Sequence, residues 1–165
     1  MSGTTRAARG VLDRLSAASL ALAGASLAGM ALVQAWQVFA RYVLNDSPGW
    51  TEPVALILMS FTVMLGAAVC VRYETHFAFQ TLLHASAQPV QAVLKAASRL
   101  LAAAAGLALA GLGGVLMVDD WSVSMAGAPL PSGLRFAALF VGGLLIVVFA
   151  IERLVLGDPQ PATEG

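Results

Sequence analysis

The chain has 165 residues, of which 59% are hydrophobic and 11% are charged, and its formal net charge is zero at pH 7. A soluble domain usually carries about a quarter charged residues, so this composition argues against a soluble protein. The balanced charge offers no basic surface for nucleic acid, and the single cysteine, Cys70, excludes an intrachain disulfide or a dithiol redox centre. Because Cys70 lies in an apolar run, we expect a buried, inert thiol.

Four long apolar segments lie between the charged residues of the chain. A helix needs about 20 apolar residues to cross the hydrocarbon core of a bilayer. The segments predict spans at about residues 15–40, 53–71, 95–118 and 135–153, within one membrane domain covering residues 1–165. The first segment has a basic flank like that of a signal peptide, but its apolar region is too long, so we interpret it as an uncleaved span. The predicted fold class is an all-α integral membrane protein.

Basic residues flank the predicted spans unequally. One side has Arg6, Arg9, Arg14, Arg72, Lys95, Arg99 and Arg153, and the other has Arg41 and Arg135. Because basic residues accumulate in cytoplasmic flanks, this pattern predicts that both termini are cytoplasmic.

The first connection is a cluster of turn-forming residues from Asn45 to Gly49. Trp50 suits the membrane–water boundary. Thr51, Glu52 and Pro53 are typical of a helix start, because they offer a capping oxygen, a carboxylate at the positive end of the helix dipole and a proline with no N–H.

The second connection has a polar residue at every fourth position, namely His76, Gln80, His84 and Gln88. This spacing predicts an amphipathic helix in the membrane interface, ended by Pro89. The alternative is an ordinary polar loop. The third helix is expected to begin near Val90, because Lys95 and Arg99 can extend to the interface. The third connection contains prolines and glycines and is expected to be irregular.

The spans lack an ionisable residue near their middle, and such residues usually mark a transport pathway. The chain alone is therefore not expected to hold a complete pathway. The hydroxyls of Ser60 and Thr62 are expected to bond the backbone of their own helix. His76 and His84, eight positions apart, are too far apart to share a metal, so no cofactor or metal is predicted.

Small residues recur at every fourth position on two spans, a pattern that lets helices approach closely. They are Ala21, Ala25 and Gly29 on the first span and Gly106, Ala110 and Gly114 on the third. Either packing within the chain or docking of a partner subunit explains them.

A series of short motifs lies within roughly residues 36–80. They are Arg41-Tyr42, Asn45, Trp50-Thr51-Glu52, Leu65-Gly66-Ala67-Ala68, Arg72 and His76. In this order and spacing they resemble the small permease component of the TRAP transporters (tripartite ATP-independent periplasmic, DctQ-type). Two positions depart from the family pattern: Pro53 stands where a second Glu is usual, and Gln80 stands where an Asp is common.

The resemblance implies a bacterial inner-membrane subunit that is not an enzyme. Its partners would be a large permease subunit, a periplasmic substrate-binding protein and membrane lipids. The large subunit would drive sodium-coupled uptake of an organic acid, and this chain would scaffold it. By the same resemblance, the candidate interface residues are Arg41, Trp50, Glu52, Gly66, Arg72 and His76.

Arg41 lies at the end of the first span, and Glu52 lies at the start of the second, on the same side of the membrane. The short turn between them would allow the two side chains to pair. They and Trp50 either organise a joint with a partner or only anchor the helix ends at the interface.

Three alternatives to this function remain. A small subunit of a tripartite tricarboxylate transporter would share the architecture but not the pattern from Arg41 to His76. An autonomous exporter would need an acidic residue within a span. A membrane redox enzyme would need a cysteine pair or histidines within the spans, and the sequence has neither.

Overall fold

The computed structural model of the chain describes residues 3–73 and 88–156. These residues form four α-helices, each containing a segment long and apolar enough to cross a membrane. The helices are α1 (Gly3–Val43), α2 (Thr51–Tyr73), α3 (Gln88–Asp119) and α4 (Leu134–Leu156). The predicted all-α fold with four spanning helices is confirmed. The predicted interfacial helix falls largely outside the described residues.

The helices pack in the spatial order α1, α2, α4, α3, because the extensive contacts join α1 to α2, α2 to α4 and α4 to α3. The two central helices, α2 and α4, run in the same direction. The end of the protein where α1 starts and α2 ends is called here the termini end, and the opposite end, with the α1–α2 and α3–α4 connections, is called the connection end.

The contact between α2 and α4 is the apolar core of the protein. Phe149 and Ala68 are fully buried there, and Ile146 is almost so. At Gly142 a side chain would meet the Met64 Cβ atom at 2.6 Å, so the absence of a side chain lets α4 lie directly against α2.

Small residues also bring α3 against α4. A Cβ atom on Gly143 would lie 2.6 Å from the amide nitrogen of Ala110, and one on Gly106 would lie 2.9 Å from the carbonyl oxygen of Gly143. Gly114 lies against Phe140. The small-residue pattern of the third span therefore serves packing within the chain.

The edge helix α1 uses a different set of small residues. Its buried face includes Ser16, Ser19 and Ala23, and Gly29 lies against Leu58 of α2. Ala21 and Ala25 are exposed, so only Gly29 of the predicted stripe lies in this contact. In α2 the Ser60 and Thr62 hydroxyls donate to the carbonyls of Leu56 and Leu58, both at 2.9 Å, as expected from the sequence.

The two connections at the connection end touch each other through glycines. Gly127 has a φ of 84°, and a side chain there would collide with the carbonyl oxygen of Gly49. Asn45 also has a positive φ, which asparagine tolerates, and follows the end of α1. Thr51 starts α2 as predicted, although its buried hydroxyl donates to the carbonyl of Pro48 at 2.8 Å.

The close approach of α3 to α4 predicts different effects for two glycines on this helix pair. Gly143→Ala should lower the free energy of unfolding by about 1–3 kcal/mol, because the added methyl meets backbone atoms of α3. Gly111→Ala is the control, since no described residue outside its own helix lies within 4 Å of a Cβ atom there. Thermal unfolding in detergent micelles measures both. Equal stability of the two variants would contradict this account of the helix contact.

Candidate functional site

A buried arginine links two helices at the termini end. Arg72, in the last turn of α2, is 1% exposed. Its Nε donates to Glu152 Oε2 at 2.8 Å, and its Nη2 donates to Glu152 Oε1 at 2.9 Å. This two-point contact matches the planar guanidinium to the planar carboxylate and ties α2 to α4.

The same guanidinium reaches the edge helix α1. Its Nη1 donates to the Ser16 hydroxyl at 2.5 Å, and its Nη2 also donates to Asp13 Oδ1 at 2.6 Å. The guanidinium carbon lies 5.6 Å from the centre of the Phe149 ring, within the range of a cation–π contact. Arg72, Asp13, Ser16 and Glu152 are called here the ionic cluster.

The ionic cluster is suited to holding helices in fixed positions relative to one another. A buried charge is tolerated when it is paired and hydrogen-bonded, and both conditions are met for Arg72. In the part of the chain that the structure describes, no buried side-chain nitrogen or oxygen lacks a hydrogen-bond partner. At the same end, Arg99 Nη1 donates to the carbonyl of Arg153 at 2.9 Å, which ties α3 to α4. Hydrogen bonds therefore join all four helices near this end.

The structure places the predicted interface residues in three regions. Arg72 lies in the ionic cluster. Glu52 and Gly66 lie on an exposed face of α2. Arg41 and Trp50 are exposed at the connection end, and His76 lies outside the described residues.

Arg41 and Glu52 form no ion pair with each other in the described part of the chain. The ion pair observed at the connection end joins Arg135 Nη2 to Asp120 Oδ2 at 3.2 Å, and both of its side chains are partly exposed.

The exposed face of α2 has a spacing that suits another helix. Its residues are separated alternately by four and three positions, which is the 3.5-residue period of helix pairs. We call this set the α2 stripe, and it comprises Glu52, Leu56, Met59, Val63, Gly66, Cys70 and Tyr73, all of them exposed except the half-buried Gly66. Among the described residues, no atom of another element lies within 4 Å of a Cβ atom placed on Gly66. Cys70 is exposed, so the expectation of a buried thiol was wrong, because none of the other described helices covers this position of α2.

The exposed face of α4 differs in chemistry. From residue 141 to residue 155 it presents only aliphatic side chains, and these are Val141, Leu144, Val148, Ile151, Leu154 and Val155. Such a surface suits lipid chains, whereas the α2 stripe combines a glycine and a cysteine with polar residues at both ends.

An open groove of about 790 Å³ lies at the connection end between α2, α4 and the α3–α4 connection. We call it the connection groove. Glu52 and Arg135 are the charged residues that line it, and Leu56, Ser60, Phe136 and Leu139 are among its other lining residues.

The partners of Arg72 were not predicted from the sequence. Arg72 was counted among the flanking basic residues and the candidate interface residues, and Asp13 and Glu152 had no predicted role. The sequence did contain an indication of these ion pairs, because Arg72, Asp13 and Glu152 all lie toward the termini end of their helices and so at a similar depth. An arginine and two carboxylates at one depth predict an ion pair between helices, although the rotation of each helix was not readable from one sequence.

The chain is similar to known proteins over most of its length. The profile of the family described as tripartite ATP-independent periplasmic transporters, DctQ component, matches residues 30–159. A stretch of 50 residues is 30% identical to the sialic acid TRAP transporter small permease protein SiaQ of Vibrio cholerae serotype O1. That stretch is 30% of this chain and 29% of the relative, so the similarity spans less than a third of the relative's length.

The ionic cluster predicts non-additive effects on stability. Arg72→Met should lower the free energy of unfolding by about 3–5 kcal/mol, because it leaves the Glu152 carboxylate buried and unpaired. The double variant Arg72→Met/Glu152→Met should be more stable than Arg72→Met, since both charges are removed. Asp13→Asn should have a much smaller effect, because Asp13 is 65% exposed.

Unfolding in detergent micelles measures these differences. The exposed pair serves as the control: Asp120→Asn should change stability by at most about 1 kcal/mol. Additive losses in the double variant would show that Arg72 and Glu152 act independently.

Proposed function

Because the chain belongs to the DctQ component family of the tripartite ATP-independent periplasmic transporters, we propose that this small permease subunit is the fixed membrane scaffold of a large permease subunit. As a transporter component, the chain is not an enzyme. The proposed process is sodium-driven uptake of an organic acid that a periplasmic binding protein delivers. The name of the Vibrio cholerae relative includes sialic acid, which is an organic acid. This name supports an organic acid as the class of substrate and does not identify the compound.

The ionic cluster is the observation that supports a static role. A subunit that coupled ion movement to transport would need a charge free to change its partner inside the membrane. Among the described residues, the buried charged side chains are Arg72, Glu152 and Arg153, and all three lie at the termini end. Arg72 and Glu152 hold each other at two points, which favours a fixed arrangement of helices.

The α2 stripe is the proposed contact with the large subunit. Its 3.5-residue period suits a neighbouring helix, and the open position at Gly66 lets a second backbone come close. Glu52 marks the outer edge of this contact, because it and Leu56 also line the connection groove, so the partner helix is proposed to cover the stripe from Met59 to Tyr73. Arg41 and Trp50 flank the same end and are proposed to anchor the helix ends at the interface.

The proposed location is the bacterial inner membrane with both termini in the cytoplasm. Two of the basic residues counted in the sequence, Arg72 and Arg153, are buried and so do not act as flanking charges. The five that remain at the termini end still outnumber the two at the connection end, Arg41 and Arg135.

The orientation predicts the result of reporter fusions. A fluorescent protein fused after Asp158 should fluoresce, and alkaline phosphatase at the same place should be inactive, because both reporters would lie in the cytoplasm. Fusions within the α3–α4 connection, after Ala126, should give the opposite pattern. A phosphatase-active fusion after Asp158 would reverse the proposed orientation.

The α2 stripe predicts which substitution separates the two subunits. Gly66→Leu should reduce copurification of the large subunit by roughly tenfold or more, because the side chain fills the space proposed for a partner helix. Gly111→Leu is a matched control, since no described residue outside its own helix lies within 4 Å of this Cβ position either, but Gly111 lies on α3. Both variants should unfold like the parent chain when purified alone.

Cys70 offers a second measurement at the same surface, because it is the single cysteine in the chain and is exposed. N-ethylmaleimide should label it in the isolated subunit and label it much more slowly in the complex. The variant Cys70→Ala/Val148→Cys, with its thiol on the exposed face of α4, should be labelled in both. Copurification of Gly66→Leu at the parent level, with Cys70 still labelled in the complex, would rule out the α2 stripe as the contact.

A further inference from the structure

The connection groove has a charged mouth and an apolar interior. Glu52 lies in the first turn of α2, and Ser60 lies eight positions further along the helix. At 1.5 Å per residue, the groove runs about 12 Å along α2 from the connection end. Trp50 and Trp121, both exposed at this end, are typical of the membrane–water boundary. The groove therefore extends from headgroup depth into the depth of the acyl chains.

The mouth presents charges of opposite sign on two different elements. Glu52 is exposed and takes part in no ion pair in the described part of the chain. Arg135 donates to Asp120 and to the carbonyl of Ser132, yet its side chain is still 51% exposed. A ligand with one positive and one negative group is complementary to both charges, whereas a fatty acid or a simple anion is complementary only to Arg135.

The deeper part of the groove is apolar. Leu56 of α2 forms one wall, and Phe136 and Leu139 of α4 contribute the other. The Ser60 hydroxyl, near the inner end, already donates to a carbonyl of its own helix, so it requires no polar group from a ligand. This lining suits a hydrocarbon chain.

We propose that the connection groove binds one phospholipid with a zwitterionic, primary-amine headgroup. The ammonium group donates to the Glu52 carboxylate, the phosphate accepts from the Arg135 guanidinium, and an acyl chain lies along Leu56 and Leu139. A primary ammonium donates hydrogen bonds that a quaternary ammonium cannot, so the site distinguishes ethanolamine from choline headgroups. A lipid is favoured over a helix of a partner protein because a single headgroup supplies both charges at the mouth. The inference does not depend on the large subunit, since every lining residue belongs to this chain.

Lipid retention by the purified subunit tests this site. The chain is delipidated in detergent, mixed with palmitoyl-oleoyl phosphatidylethanolamine, phosphatidylcholine or phosphatidylglycerol, and examined by native mass spectrometry. We expect one molecule of phosphatidylethanolamine to be retained more strongly than either other lipid. Glu52→Gln should weaken its retention by up to roughly fivefold and abolish the preference over phosphatidylcholine.

Variants that alter each part of the groove complete the test. Arg135→Gln should weaken retention of all three lipids, because all have a phosphate. Ser60→Phe should also displace lipid, since it fills the inner end and leaves both charges in place. Arg41→Gln and Asp46→Asn are matched controls, because they remove charges at the same end but outside the groove.

Equal retention of the three lipids by the parent chain and by Glu52→Gln would overturn the proposal. A photoreactive residue at position 60 provides an independent result in membranes. Cross-linking to phospholipid supports the site, and cross-linking to a copurified protein shows instead that a protein segment occupies the groove.

Discussion

A buried arginine at the end of a membrane helix needs carboxylates or other acceptors close by, because little water is available to solvate its charge. This requirement determines how the helices are arranged at one end of the protein. Arg72 is almost completely buried and meets Glu152 of α4 and Asp13 and Ser16 of α1. Hydrogen bonds have strict distances and directions, whereas apolar contacts tolerate sliding. The ionic cluster therefore fixes the relative depth of three helices.

Close helix packing supplies the rest of the stability and depends on neighbouring glycines. Gly142 faces α2 and Gly143 faces α3, so α4 approaches both neighbours with its backbone. In a membrane, apolar side chains gain little by leaving lipid for protein, and dense contact between helices is the main source of attraction. This explains how α4, with its adjacent glycines, can hold one of the two central positions of the row.

The sequence predicted the four spanning helices because charge-free apolar segments of the required length are a strong signal. It also predicted the start of α2 at Thr51 and the early start of α3, since the reach of Lys95 and Arg99 is a property of single side chains. It did not predict the ionic cluster, because the rotation of each helix about its axis decides whether Arg72 faces Glu152 or lipid. The same uncertainty explains why Cys70 was expected to be buried, and why the small residues of α1 and α3 proved to have different roles.

The rotation of α2 connects the ionic cluster to the surface proposed for the partner. Successive residues of an α-helix are about 100° apart, so the face that contains Leu65, Ala68 and Arg72 lies roughly opposite the α2 stripe. Two hydrogen bonds from Arg72 to Glu152 hold that face toward α4, and as a consequence they turn Gly66 and Cys70 outward. A stripe without polar anchors on its opposite face could rotate to hide its glycine against a neighbour within the chain. The buried arginine thus has an effect beyond stability, because it presents one defined face of α2 to whatever lies beside the protein in the membrane.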